Sequence, residues 1–204
     1  MHAIDSYLSA NRAWYLDRAA HITPDLRNPA HVWARFALAI LSAHTNFTYA
    51  TKALAYAVTC KGNATRRRIK RFGITPDRAD YLNALPGGRD ILSLIRHDDE
   101  SWDAHRARIR DTVPGLGYIK ASFAVALLDP LQADIACLDT HMQGVYLAVP
   151  QAFRYTKSLP LYRTVEAKIR TVGQRHGVST FLAQWAIWDH ARGKREDHNI
   201  FPEG

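Results

Sequence analysis

Val113-Pro114-Gly115-Leu116-Gly117-Tyr118-Ile119-Lys120-Ala121-Ser122 is the stretch whose reading decides the fold. Before it, Asp99 to Thr112 is polar and charged; after it, Ile119 to Leu128 is apolar with helical character. A proline and two glycines one residue apart join the two segments. Glycine permits φ > 0 and a close approach by a bulky group. The helix leaving such a turn presents N–H groups that have no intrahelical acceptor, and these suit an anion such as a phosphate. Two helices joined by so tight a turn can grip a nucleic-acid backbone. The same residues also fit a plain αα-corner in which Pro114 and the glycines serve only the reversal of the chain.

The charge balance bears on that choice. The net charge is +8 and the isoelectric point is near 9.7. This favours a polyanionic partner, most simply nucleic acid, over an acidic small substrate. The bland alternative is a solubility surplus of Lys and Arg. At 204 residues, with 47% hydrophobic and 23% charged side chains, the chain has the make-up of a soluble globular protein of one domain or two small lobes. Cys60 and Cys137 lie far apart, with no CxxC or CxxH spacing. A disulfide framework, a structural zinc and a four-cysteine iron–sulfur cluster are all unsupported, and reduced, buried thiols are expected. The N-terminus lacks the layout of a signal peptide, and no apolar run is long enough to cross a bilayer. A cytoplasmic or nucleoid-associated location, without secretion, is therefore expected.

Apolar residues recur at helical spacing throughout, and alternating β-branched runs are missing, so the fold class is all-α. Helices are predicted over roughly 3–20, 30–42, 47–60, 76–85, 90–96, 119–128 and 139–147, then from Pro160 and over 178–191. The segment 30–42 is apolar nearly all round and should be central. Asp77 and Asp80 fall in the first turns of the 76–85 helix, where they suit its dipole. Residues 131–137 read as a loop, and the tail from Arg192 as loosely held.

Set in this order, the elements resemble the helix-hairpin-helix DNA glycosylase superfamily, the group that includes the endonuclease III and adenine-mismatch glycosylases. Two stretches carry the resemblance. Phe36-Ala-Leu-Ala-Ile-Leu-Ser-Ala-His-Thr-Asn46 is similar to that family's buried helix and the polar residues that end it. Val113-Pro-Gly-Leu-Gly117 is followed 22 residues later by Asp139, within Ala136-Cys-Leu-Asp-Thr-His141. That spacing is close to the family's separation between hairpin and catalytic aspartate. The resemblance implies two helical lobes, one from 29 to 138 with its hairpin at about 100–128, the other from 1–28 together with 139–204. The target base would flip into the cleft between them, because its glycosidic bond is out of reach inside a duplex. It implies DNA as partner, through sequence-independent backbone contacts, and a monomer. No metal and no cofactor are expected beyond a monovalent cation at the hairpin.

Roles follow residue by residue. By the resemblance Asp139 is the catalytic carboxylate, stabilising positive charge on the sugar as the base departs. By local pattern it is equally a good N-cap for the helix after it, and both can hold. Bifunctional members place a lysine two residues after the second glycine, where it attacks the sugar to form a Schiff base. Here that position is Ile119, and the lysine is one place later, at Lys120. One helical step rotates a side chain by about 100°, so the expectation is a monofunctional enzyme. Lys120 is a catalytic candidate, as the attacking lysine, if the turn carries an insertion; otherwise it serves as a phosphate contact or is merely solvated.

Gly115, Leu116, Gly117, Tyr118, Ile119 and Lys120 are expected to hold a DNA phosphate, with Tyr118 approaching the nucleotide. His44 stands where the family often has a glutamine that fills the gap left by the flipped base; Asn46 and His141 are weaker candidates near the DNA. Arg66, Arg67, Arg68, Lys70 and Arg71 form the densest basic run, suited to salt-dependent binding or else simply a solvated face. Phe181, Trp185 and Trp188 read as core, and Asp189, His190, Asp197 and His198 match no standard metal spacing. Three functions compete: base excision, modification of a flipped pyrimidine by a transferase on the same scaffold, and DNA binding without chemistry.

Overall fold

Pro29–Leu41 forms the helix on which the central unit is built. Asn28 caps it by accepting the N–H of Ala30 at 3.0 Å, and Pro29 opens it where its missing N–H costs nothing. Phe36, Ala37, Leu38, Ala39, Ile40 and Leu41 are all fully buried, as expected for a sequence apolar nearly all round.

The structure is a computed structural model and describes residues 2–43, 45, 47–60, 63–139, 142 and 159–193. It is all-helical, with no strand among the described residues. The helices are α1 (His2–Ile22), α2 (Pro29–Leu41), α3 (Phe47–Thr59), α4 (Arg66–Lys70), α5 (Arg78–Asn83), a 3₁₀ helix (Gly88–Leu94), α6 (Trp102–Thr112), α7 (Tyr118–Leu128), α8 (Leu159–His176) and α9 (Thr180–Ala191). The predicted helix over 139–147 lies outside the described residues, apart from Asp139 and Met142. The chain divides into two compact units, with boundaries at Thr23/Pro24 and Leu128/Asp129. The second boundary precedes the expected one at 138, because the backbone that follows Asp129 is held by α8 and α9, as described below.

In the central unit α2 packs against α3, α5, α7 and the 3₁₀ helix, and α6 packs against α7. The predicted helix at 90–96 is this 3₁₀ turn, which opens after Pro86-Gly87 with Gly88 at φ +55°. Its junction with α6 is clamped by Arg108. That side chain forks onto Glu100, with Nε to Oε1 at 2.8 Å and a terminal nitrogen to Oε2 at 2.7 Å. It also donates to the carbonyls of Ser93 and Ile95. The guanidinium holds the Glu100 carboxyl down to about 2. His105, fully buried on α6, meets the Leu94 carbonyl at 2.8 Å, and burial pushes its imidazole down to about 4. Asp77, expected to serve the dipole of α5, makes no side-chain cap bond, and Asp80 is paired with Arg66.

The other unit holds α1, the segment from Asp129 to Leu138, α8 and α9, with α1 packed on both of the later helices. Tyr15 is fully buried and donates to Asp189 Oδ2 at 2.8 Å. Its ring stands edge-on to Trp14 and Trp185, with centroids 4.9 and 5.8 Å apart. Trp185 and Phe181 are therefore core, as expected; Trp188 is half-buried under the Arg192 guanidinium, 4.0 Å from its ring centroid. Gly177 at φ +60° turns α8 toward α9. The crossing is close enough that a Cβ on Gly173 would lie 2.8 Å from the Val178 carbonyl oxygen. Cys137 is a buried thiol and Cys60 a half-buried one, and neither is joined in a disulfide. Among the described residues no helix is long and apolar enough to cross a membrane, and no three His, Cys, Asp or Glu side chains gather as a metal would need.

Candidate functional site

The hairpin is built from the end of α6 upward. Val113 closes that helix by donating its N–H to the Ile109 carbonyl at 2.9 Å, and the chain reverses through Pro114 and Gly115. Gly115 adopts φ +82°, and a Cβ there would fall 2.6 Å from Cγ of Tyr81 on α5. Both the backbone conformation and the packing demand glycine. Gly117 differs, since its φ is not in the left-handed region and a Cβ would meet nothing within 4 Å. Its missing side chain leaves the mouth of α7 open. The Gly117 carbonyl accepts the N–H of Ala121 at 2.8 Å, so the N–H groups of Tyr118, Ile119 and Lys120 precede the first intrahelical bond. A groove of about 400 Å³ runs along Val113–Gly117, walled by Arg78 and Tyr81 of α5 and by Arg110. Arg110 is itself paired with Asp111 at 2.7 Å.

Inside the hairpin lies a feature that sequence reasoning did not reach. Arg106 is fully buried and pairs with Asp103. It donates to Ser122 Oγ at 3.2 Å, and its guanidinium sits 4.3 Å from the centre of the Tyr118 ring. Ser122 in turn donates to the Tyr118 carbonyl at 2.9 Å. These contacts tie α6 to the first turn of α7. They also cover one face of the ring of Tyr118, the residue expected to approach the nucleotide, with the Arg106 guanidinium.

Lys120 is likewise not a solvated lysine. Its Nζ donates to Ser42 Oγ at 3.0 Å and lies 5.2 Å from the centroid of Phe123. Ser42 is the C-cap of α2, where an ammonium complements the negative end of the helix. Ile119, half-exposed, occupies the position at which the resemblance places a lysine. His44, Asn46 and His141, the other expected DNA contacts near the site, lie outside the described residues.

Asp139 is half-buried, and its Oδ1 accepts the N–H of Met142 at 3.0 Å, the geometry of an N-cap. The segment leading to it is irregular and, among the described residues, has no strand to pair with, yet three consecutive N–H groups in it find side-chain partners. Ala136 donates its N–H to Glu166 Oε1 at 2.8 Å, and Cys137 donates to Gln184 Oε1 at 2.6 Å. The Tyr162 hydroxyl accepts from Leu138 N–H at 3.2 Å and donates to the Ala136 carbonyl. All three side chains are buried. Upstream, Arg170 and Thr180 both bond Asp134 Oδ1 at 2.6 Å. The only trace of this in the sequence is a polar residue among apolar neighbours on each helix, Glu166 beside Val165 and Gln184 beside Trp185.

The basic run forms α4, which buries only Ile69 and exposes Arg66, Arg67, Arg68 and Lys70, with Arg71 as C-cap. Arg66 is spent, its Nε 3.1 Å from both Asp80 oxygens. Four exposed cations remain on a single short helix and its cap.

No protein-family model matches the chain, and no curated protein matches it in sequence. Solved structures do match. The 8-oxoguanine DNA glycosylase of Thermotoga maritima superposes with a TM-score of 0.73 at 15% identity, over 95% of this chain and 96% of that one. The 8-oxoguanine glycosylase/lyase of Methanocaldococcus jannaschii, solved with a DNA containing 8-oxoguanine, gives 0.74 at 16% identity, over 95% and 99%. A further structure of the Methanocaldococcus jannaschii 8-oxoguanine DNA glycosylase gives 0.75 at 16%, over 95% and 94%. This chain has their fold. The likeness is one of backbone, and it does not single out the endonuclease III and adenine-mismatch branch named by the sequence resemblance.

Proposed function

We propose that this protein is a monofunctional DNA base-excision glycosylase, acting as a monomer on a flipped nucleotide. The observation that carries the reading is Asp139, a half-buried carboxylate that accepts the Met142 N–H and follows a segment in which three consecutive N–H groups are met by buried side chains. The glycosylase fold supports it. As the bond between base and sugar breaks, its electron pair leaves with the base and positive charge develops on the sugar. The Asp139 carboxylate stabilises that charge, water adds to the sugar carbon to complete an abasic site, and the proton that water gives up ends on the departed base. The hairpin N–H groups hold a backbone phosphate, and Arg67, Arg68, Lys70 and Arg71 add sequence-independent attraction. With Ile119 in the lysine position and Lys120 engaged by Ser42, no Schiff-base step enters the mechanism. The same engagement is equally compatible with a second reading, in which the scaffold modifies the flipped base instead of releasing it.

One assay separates these. Duplexes carrying 8-oxoguanine, uracil, mismatched thymine, alkylated or hypermodified bases are incubated with the protein, and strand cleavage is scored before and after alkali. An abasic product cleaved only by alkali is the expected result. Spontaneous cleavage with borohydride trapping would overturn the reading of Ile119 and Lys120. A base of altered mass still on its sugar identifies the transferase, and binding without any product identifies a non-catalytic protein.

The clamp itself is tested at Gly117. Aspartate there is a favourable N-cap and suits the dipole of α7, and its side chain enters open space. Gly117→Asp should melt no lower than wild type while binding an undamaged duplex about tenfold more weakly, since a carboxylate replaces the phosphate at the N–H groups. Unchanged affinity by fluorescence anisotropy would show that the hairpin is an ordinary corner.

A further inference from the structure

We infer that Tyr162 is a positioning residue for the Asp139 carboxylate, with Glu166 and Gln184 completing the support. The inference rests on the reading of Asp139 as the reacting carboxylate. The physical problem is the segment Ala133–Asp139. A largely buried backbone outside any helix or strand must find partners for its N–H and C=O groups elsewhere. Three consecutive N–H groups, those of Ala136, Cys137 and Leu138, are met by three different side chains from two helices. Tyr162 and Glu166 stand one helical turn apart on the same face of α8, and Gln184 comes from α9.

Tyr162 has a place of its own among the three. Its hydroxyl bonds both the carbonyl of Ala136 and the N–H of Leu138, and so brackets Cys137 and fixes the residue immediately before Asp139. Asp139 then folds back, its N–H meeting the Cys137 carbonyl at 3.0 Å, so the bracketed peptide also sets the direction in which the carboxylate leaves the chain. The ring is fully buried and cannot swing aside to let the segment drift. Misplacement of a reacting group by an ångström is enough to lose most of its rate advantage.

Tyr162→Phe keeps the ring and removes the bracket. The variant is compared with wild type and Asp139→Asn in three measurements: binding to an undamaged duplex, single-turnover base release from the same set of damaged duplexes beginning with 8-oxoguanine opposite cytosine, and amide hydrogen exchange. The expected result for Tyr162→Phe is unchanged duplex affinity, base release slowed about tenfold or more, and faster exchange at Leu138 and Met142 while the amides of α8 and α9 hold. Unaltered exchange at Leu138 and Met142, or affinity and rate falling together, would overturn the inference, since a purely structural role moves both alike. Failure of the underlying reading shows separately, as wild type and Asp139→Asn releasing base equally or not at all.

Discussion

Asp139→Asn should lower the rate of base release by about two to three orders of magnitude, the effect of removing one preorganised electrostatic group from a reacting centre, and leave the protein as stable as wild type. Asparagine caps a helix about as well as aspartate, and its side-chain oxygen can keep the bond to Met142 N–H that Asp139 makes at 3.0 Å. What it lacks is the negative charge. The substitution therefore separates the two roles that one carboxylate fills. Asp139→Ala removes both, and should add a stability loss of about 1 kcal/mol for the missing cap. Single-turnover kinetics and thermal denaturation on the pair decide the matter: an asparagine variant that retains its rate would leave Asp139 as a cap and nothing more.

Gly115→Ala should destabilise the protein by roughly 2–5 kcal/mol. About 1–2 kcal/mol comes from placing a Cβ on a residue in the left-handed region, where Gly115 sits at φ +82°. About 1–3 kcal/mol comes from forcing a methyl group into a packed neighbour, here the Tyr81 ring whose Cγ would lie 2.6 Å away. The two contributions are separable. In Gly115→Ala/Tyr81→Ala the second mutation removes the obstructing ring but not the backbone strain, so the cost of adding the methyl group should shrink to the first contribution alone. Urea unfolding of both single variants and the double supplies the cycle. A cost of Gly115→Ala that is the same with and without the Tyr81 ring would show that the turn shifts to accommodate the methyl group. Because Gly115→Ala acts through the fold, loss of DNA binding in that variant says little about phosphate contact. Gly117→Asp is the informative substitution for that question.

The two glycines show how far the sequence could be read. Gly115-Leu116-Gly117 announces a tight turn between helices, and the turn is there. The separate reasons for the glycines depend on what stands beside each, and Tyr81 is 34 residues away along the chain. Lys120 makes the same point. Its number predicts a rotation away from the family's lysine direction, but not the Ser42 hydroxyl 78 residues distant that receives it. Asp80 stands in the first turn of its own helix as expected, but its position does not announce that it also holds Arg66 from 14 residues back.

By itself the sequence determined the all-α class, most helix bounds, the hairpin and the aspartate behind it. These features are set by local periodicity, by cap residues such as Asn28, Ser101 and Ser179, and by proline and glycine, all of which act within a few residues. Only the tertiary structure decided how the site is supported. Arg106 covers Tyr118 because α6 and α7 fold face to face. Tyr162, Glu166 and Gln184 reach Leu138, Ala136 and Cys137 across 24, 30 and 47 residues. A buried backbone takes whatever partners the packed helices bring to it, and no local pattern names them in advance.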